Sequence, residues 1–401
     1  MSLLSSASLG FQFCNPTLKY PHDRSSKKSH IFQASNSRKV EKKMALKAVH
    51  IPVDQVNKNV ALDLPSSSNL TKEDEEMKKW GKMVVIGHRG SGMNMVEYYS
   101  CEDKTRRGIK ENSILSFNEA AKFPIHFIEF DVQVTKDDYP VIFHDNFILT
   151  DDKGVIVEKR VSELKLEEFL SYGPQKEPRK VGKPMYRKNK DGKIFEWKVE
   201  KDDPLCTLEE VFQKVEHSLG FNIELKFDDN LVYKEEELTQ VLQVILNVVN
   251  EYAKDRPIIF SSFQPDATLL IRKLQNNYPV FFLTNGGAKV YKDKRRNSLE
   301  EAIKMCLDGR LQGIVSEVKA IFMNPGAIAK IKESKLSLIT YGQLNNVAEI
   351  VYMQHLMGVE GVIVDQVQEI TAAVSDYILP PAKKGAAEES LLEEEEKENG
   401  S

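Results

Sequence analysis

Short apolar runs recur along the chain at 83–87, 127–131, 141–143, 222–226, 258–261, 280–283, 313–315, 337–340 and 361–364. Each has the length and the polar borders of a buried strand. Helix-length stretches separate most of them, among them 112–122, 234–252, 266–274, 298–307 and 346–356. Strand alternating with helix predicts an α/β fold with a parallel sheet. One gap breaks the rule. Only about nine residues separate Asp131 from Val141, and they include Asp137-Asp138-Tyr139-Pro140. A parallel crossover needs about a dozen or more, so 141–143 is expected to return antiparallel, as a hairpin extension of its neighbour. Eight parallel strands remain, the number that closes a (β/α)8 TIM barrel. The alternative is an open doubly wound sheet. That fold brings a glycine-rich nucleotide loop, and Gly87-x-x-Gly90-x-Gly92 has the wrong spacing for one and carries His88-Arg89 inside it.

The rhythm fails elsewhere in informative ways. Residues 151–204 are dense in charge and turn residues, so an insertion of about 141–204 is expected above the barrel, as a small subdomain or lid or as a solvated loop. Thr207 and Glu210 then have capping-box spacing before an apolar run. Before the barrel, residues 1–43 are rich in Ser and Lys/Arg, with Asp23 the only acid among the first 40. Such a leader matches an organelle transit peptide, for a plastid (chloroplast), or a disordered tail. The alternative compartment is the cytoplasm, if translation begins at Met44. Residues 44–80 form a polar linker, 81–380 the barrel domain and 381–401 an acidic tail.

Composition excludes several classes. A hydrophobic fraction of 41% suits a full-sized globular core, and a net charge of −4 gives no basis for nucleic-acid binding. No apolar run reaches the roughly 20 residues of a transmembrane segment. Cys14, Cys101, Cys206 and Cys306 are scattered and suggest no disulfide framework.

The candidate chemistry sits where apolar runs end in charge. Glu129 and Asp131 are two residues apart on one strand and share a face. Side by side inside a barrel they repel each other, and a divalent cation resolves the conflict; a salt-bridge network with Arg or Lys is the alternative. If its face points inward, Glu224 supplies a third carboxylate, and an all-oxygen ligand set suits Mg²⁺ or Ca²⁺ rather than zinc. His88 and His144 both end strands, placed to take and to give a proton. Arg89 offers a guanidinium fork for phosphate oxygens, and Lys226 a second positive charge. The set implies phosphoryl transfer on an anionic substrate with a poor leaving group. Glu111, Asn112, Ser262, Phe263 and Asp365 are supporting candidates. Glu111 would act behind the ligands, Asn112 or Ser113 would cap a helix, Ser262 and Phe263 would sit at the pocket mouth, and Asp365 would end the last strand. A choline-binding cage from Phe143, Trp197 and Phe263 is conceivable.

These residues fall into a pattern. His88-Arg89-Gly90, Glu111-Asn112-Ser113-x-x-Ser116-Phe117, Glu129-x-Asp131-Val132-x-Val134-Thr135-Lys136-Asp137, Pro140-Val141-x-x-His144-Asp145, Asn222-Ile223-Glu224-x-Lys226 and Ser261-Ser262-Phe263 occur in order over roughly 82–372. With them the chain resembles the glycerophosphodiester phosphodiesterases, most closely the plant soluble, plastid-type branch. The resemblance implies a TIM barrel with a hairpin-bearing insertion after its second strand. It also implies hydrolysis of glycerophosphocholine, glycerophosphoethanolamine or glycerophosphoglycerol to sn-glycerol 3-phosphate and an alcohol. By the same resemblance the metal carboxylates are Glu129, Asp131 and Glu224, with Mg²⁺ ahead of Ca²⁺. The acid–base pair is His88 and His144, and the phosphate contacts are Arg89 and Lys226. In the family mechanism the glycerol 2-hydroxyl attacks phosphorus to give a cyclic phosphate that water opens. The small glycerophosphodiester is the implied partner, and oligomeric state is left open. The sequence departs from the family in a longer stretch between Gly90 and Glu111, a longer insertion, and Val364-Asp365-Gln366-Val367 where Thr-Asp-x-Pro is frequent. A barrel glycosidase would explain the carboxylates but neither the two histidines nor the two cations. A catalytically dead binding module would leave the buried charges unused.

Overall fold

The computed structural model of the protein describes residues 83–94, 108–189 and 191–375. The expected leader, linker and acidic tail lie outside the described residues, as does most of the stretch between Gly90 and Glu111. In chain order the strands are β1 (Val84–Gly87), β2 (Phe127–Val134), β3 (Pro140–Ile142), β4 (Phe147–Asp152), β5 (Val155–Arg160), β6 (Tyr186–Lys188), β7 (Ile194–Glu196), β8 (Gly220–Leu225), β9 (Ile258–Ser262), β10 (Val280–Thr284), β11 (Gly313–Glu317), β12 (Ser337–Tyr341) and β13 (Gly361–Val364).

Strands β2, β8, β9, β10, β11, β12, β13 and β1 pair in that order, and β1 pairs back onto β2 through Ile86↔Phe127 and Gly87↔Ile128. Every one of these pairings is parallel, so the sheet is a closed (β/α)8 barrel. The doubly wound alternative is thereby excluded. Strand β3 folds back antiparallel on β2, with Val132 opposite Ile142 and Val134 opposite Pro140, as the short gap requires.

Strand parity divides the side chains between two cores. Val84, Ile86, Phe127, Ile259, Phe281, Leu283, Val315, Ile339 and Ile363 fill the barrel interior. Their neighbours Val85, Ile128, Phe130, Val132, Phe221, Ile223 and Leu225 face the surrounding helices. Phe130 packs between Phe117 and Phe221, with ring centroids 5.4 and 5.1 Å away. The longest described helix, Glu235–Tyr252, buries Leu238, Leu242, Ile245, Leu246 and Val249 on this outer core. The three- and four-residue spacing of that set is why the stretch is helical. The helix Leu208–Lys214 starts at Thr207 with the expected capping box.

The insertion is a small antiparallel sheet, ordered β5-β4-β6-β7. It has its own apolar cluster, built on Ile148, Phe169, Tyr172 and Met185 and continuous with Val141 and Phe143 of the hairpin region. Of the two expectations, the subdomain is the one observed. No described helix is long and apolar enough to cross a membrane.

Candidate active site

Strand β2 sends Glu129 and Asp131 inward on the face opposite Phe130, and the β8 register sets Asn222 beside Glu129 and Glu224 beside Asp131. Polar residues therefore occupy the carboxyl end of the barrel, above the apolar plug, where barrel enzymes hold their sites. Glu129, Asp131 and Glu224 each bring one oxygen within 4.8 Å of the others. Glu129 is 3% and Asp131 1% exposed. Glu129 Oε1 and Asp131 Oδ1 are buried with no hydrogen-bond partner among the described residues. Buried carboxylate oxygens without donors are costly, and a hard divalent cation satisfies them. The three residues fit such an ion by donor type, proximity and unmet demand.

Glu129 and Asp131 are pulled in opposite directions. Burial and the charges of Asp131 and Glu224 push Glu129 up to about 8. Burial also acts against the Asp131 anion, but His144, Lys226, Arg89 and the Asn112 amide outweigh it and hold that carboxyl far below its usual range. Two buried anions side by side cannot both be tolerated without positive charge.

Segments that follow the strands or precede a helix bring the remaining groups. After β1, Arg89 and Gly90 turn with φ of 49° and 90°. The turn aims the Arg89 amide at Glu129 Oε2 (3.0 Å) and its guanidinium at Glu111 Oε1 (2.7 Å), with Arg89 Nε 3.3 Å from Asp131 Oδ2. Gly90 is obligatory there, because a Cβ would meet the Ser116 hydroxyl at 2.5 Å and the Ser116 backbone at 2.8 Å. Asn112 donates from Nδ2 to Asp131 Oδ2 at 2.8 Å. Of the two residues expected to cap the helix, Asn112 and Ser113, it is Ser113 whose hydroxyl accepts from Ser116 N.

His88 Nδ1 is 2.7 Å from Asp365 Oδ1, and His88 Nε2 is 3.9 Å from Glu129 Oε2. Asp365 is itself fixed by the Met93 amide (3.0 Å) and by Asn346 Nδ2 (3.0 Å). Burial lowers the His88 pKa, but the Asp365 charge and hydrogen bond reverse that, leaving it raised. His144 goes the other way: burial, Arg89 and Lys226 lower it despite Asp131 and Asp145. Lys226 Nζ is 2.9 Å from Glu224 Oε1 and 3.5 Å from Asp131 Oδ1.

One cavity of about 270 Å³ is lined by His88, Arg89, Glu129, His144, Glu224, Lys226, Phe263 and Asp365 together. Glu111 and Asn112 stand directly behind it. Ser262 is turned away: its hydroxyl donates to Leu225 O at 2.7 Å and accepts from the Gln264 amide, on the helix side of β9. Its neighbour Ser261, the register partner of Glu224, lines the cavity instead. Strand parity held that information. Of the rings suggested for choline, only Phe263 lines this cavity, while Phe143 and Trp197 pack together with centroids 6.0 Å apart. Trp197 lies under the Arg187 guanidinium at 3.5 Å and near the Lys110 ammonium at 3.7 Å, and Phe263 packs edge-on with Tyr341. Sequence reasoning missed Arg187, on β6 of the insertion. It is 6% exposed and reaches Glu111 Oε1 at 2.6 Å and Asp145 Oδ2 at 2.9 Å. A short charged strand gives no periodic signal for such a residue.

At the level of class, fold and site define a phosphodiester hydrolase built on a parallel barrel. The chain belongs to the glycerophosphoryl diester phosphodiesterase family, whose family model matches residues 88–369. It is 64% identical over 312 residues to glycerophosphodiester phosphodiesterase GDPD3 of Arabidopsis thaliana, covering 77% of this chain and 83% of that one. It is 59% identical over 339 residues to chloroplastic glycerophosphodiester phosphodiesterase GDPD1 of the same plant, covering 84% and 91%. Among solved structures, an Oleispira antarctica phosphodiesterase in complex with the product sn-glycerol 3-phosphate superposes with a TM-score of 0.52 at 18% identity, over 73% of this chain and 97% of that one. That likeness supports the fold.

Proposed function

We propose that the protein hydrolyses glycerophosphodiesters to sn-glycerol 3-phosphate and an alcohol, with a divalent cation held by Glu129, Asp131 and Glu224. The observation that carries this reading is the cluster of three carboxylates within 4.8 Å, two of them with unmet oxygens, facing two imidazoles across one cavity. When bound, the cation supplies Lewis-acid polarisation of a phosphoryl oxygen and of an attacking hydroxyl. The protein's own residues do the rest. Arg89 and Lys226 offset the phosphate charge and orient it. One of His88 and His144 takes the proton of the attacking hydroxyl, and the other delivers a proton to the departing alkoxide oxygen. Asp365 keeps the His88 ring in one orientation, as a carboxylate partner does for a catalytic imidazole. The all-carboxylate ligand set suits either Mg²⁺ or Ca²⁺, and Mg²⁺ is put first from the family resemblance.

The test measures sn-glycerol 3-phosphate release from glycerophosphocholine, glycerophosphoethanolamine and glycerophosphoglycerol, with chelator, Mg²⁺ or Ca²⁺. Release is expected only with the cation, strongest with Mg²⁺. Glu129→Gln and Asp131→Asn should lose both metal binding and turnover. His88→Ala and His144→Ala should keep metal binding and lose a factor of roughly 10²–10⁴ in turnover. Turnover that survives chelation, or metal-loaded histidine variants as fast as wild type, overturns the assignment.

A further inference from the structure

Arg187 belongs to the insertion, yet its guanidinium is spent entirely on the barrel mouth. Nη2 donates to Glu111 Oε1 at 2.6 Å, Nε to Asp145 Oδ2 at 2.9 Å and Nη1 to Asn94 O at 3.2 Å. The plane of the group lies on the Trp197 ring, 3.5 Å from its centroid, and Trp197 Nε1 donates to Asn94 Oδ1 at 3.2 Å. Two of its acceptors lead to the chemistry. Glu111 Oε1 also accepts from Arg89 Nη1 at 2.7 Å, and Asp145 Oδ1 is 2.7 Å from His144 Nδ1. Both carboxylates are held well below their ordinary range. Burial opposes the ionisation of each, and the positive charge of Arg187 does most to overcome it.

From this geometry we propose that Arg187 is a positioning residue for the reaction. Through Asp145 it orients the His144 imidazole, and through Glu111 it braces the Arg89 guanidinium, so the insertion is a structural part of the active site. The proposal rests on the phosphodiesterase reading above and adds a residue and an element to it. Three divergent donors in one plane are a property of arginine that lysine lacks. A lysine here keeps the buried charge but cannot serve Glu111, Asp145 and Asn94 together. The carboxylate–histidine–arginine arrangement also fixes which ring nitrogen of His144 faces the cavity.

The test compares wild type, Arg187→Lys, Asp145→Asn and the double variant with Mg²⁺ and one glycerophosphodiester, after thermal unfolding shows which are folded. Arg187→Lys is expected to lower kcat roughly tenfold to a hundredfold and to raise KM, because both arms loosen. Asp145→Asn, which weakens the Arg187–Asp145–His144 arm and leaves the Glu111 bonds to Arg187 and Arg89 in place, is expected to lower kcat with KM unchanged. Because both act on His144 through one contact, the double variant should lose less than the product of the single losses. Mg²⁺ affinity should hold in all of them. An Arg187→Lys enzyme with wild-type kcat overturns the proposal, as do multiplicative losses in the double variant. If Arg187→Lys does not fold, Asp145→Asn decides alone: a kcat loss at constant KM supports the histidine arm, and wild-type kcat overturns it. Absence of turnover in wild type itself overturns the reaction and the relay together, whereas an active wild type with an unimpaired Arg187→Lys overturns the relay only.

Discussion

Arg89 and Asn112 both hold left-handed backbone, at φ of 49° and 53°. Asparagine tolerates this region and arginine does not, at a cost of about 1–2 kcal/mol. The strain persists because the surroundings over-determine it. The Arg89 carbonyl accepts from the Asn112 amide at 3.1 Å and from the Ser116 hydroxyl at 3.0 Å while its own amide serves Glu129. Asn112→Ala keeps the turn but forfeits both the tolerant backbone and the 2.8 Å bond to Asp131. It is expected to lose about 1–3 kcal/mol of stability and about 10–100-fold in Mg²⁺ affinity. Urea titration and calorimetric Mg²⁺ titration read the two effects, and wild-type Mg²⁺ affinity would remove Asn112 from the site. At this scale the sequence was legible wherever a residue ended a strand. Glu129, Asp131 and Glu224 announced themselves as carboxylates in apolar runs. Ser261 and Ser262 are adjacent hydroxyls in one run, and only the parity of β9 separates the one that faces the cavity from the one that does not. Arg187 had no such marker, since it ends no apolar run and sits beside Tyr186 and Lys188 in a three-residue strand.

Among the elements, β8 shows how packing below the site places the groups above it. Its inward positions are Gly220, Asn222 and Glu224, and a Cβ on Gly220 would come within 2.3 Å of a Phe127 ring carbon. The bare glycine lets Phe127 fill the barrel floor, which keeps β2 and β8 in the register that sets Asp131 beside Glu224. Gly220→Val is expected to destabilise by about 1–3 kcal/mol through overpacking. It should also weaken Mg²⁺ binding, because the strain falls on that register. Thermal unfolding with and without Mg²⁺ checks it: a midpoint unchanged in both conditions would mean that the floor does not set the register. The barrel strands were readable because eight of them are buried on both faces and stand out against polar neighbours. The antiparallel return of β3 followed from loop length alone. The insertion strands were not readable: they are short, mix apolar and charged positions without a clean alternation, and are held by pairing and by a cluster shared with the hairpin residues Val141 and Phe143. The short helices Val318–Met323 and Gly326–Glu333 escaped for want of the length that makes a period visible.

For the molecule as a whole, the buried charges tie stability to acidity. Glu111 is 2% exposed, and Arg187 and Arg89 overcome its burial to hold its pKa down at about 2. A carboxyl depressed in the fold contributes stability that is complete above its unfolded value, near 4.5, and is lost as pH falls toward 2. A shift of this size corresponds to about 3 kcal/mol. Glu111→Gln should therefore be less stable than wild type at neutral pH, with a shallower decline between pH 4.5 and 2. Denaturant unfolding across that window checks the sign; parallel curves would show that another group carries the acid limb. The barrel was legible as a whole from strand count and spacing, and the family from its ordered motifs. The cross-links between insertion and barrel were not, because they join residues distant in sequence through contacts that no local pattern marks.

Barrel closure has a consequence for synthesis. His88 follows the first strand and Asp365 follows the last, and the two meet only because β1 pairs with β13 across a sequence separation of 277 residues. Until Asp365 has left the ribosome, the first imidazole has no carboxylate to orient it. A chain cut short anywhere in the barrel lacks that pair, however well its early strands have formed. If His88 acts in the reaction as proposed, turnover reports that the last strand has docked, because only then does its ring gain the carboxylate partner.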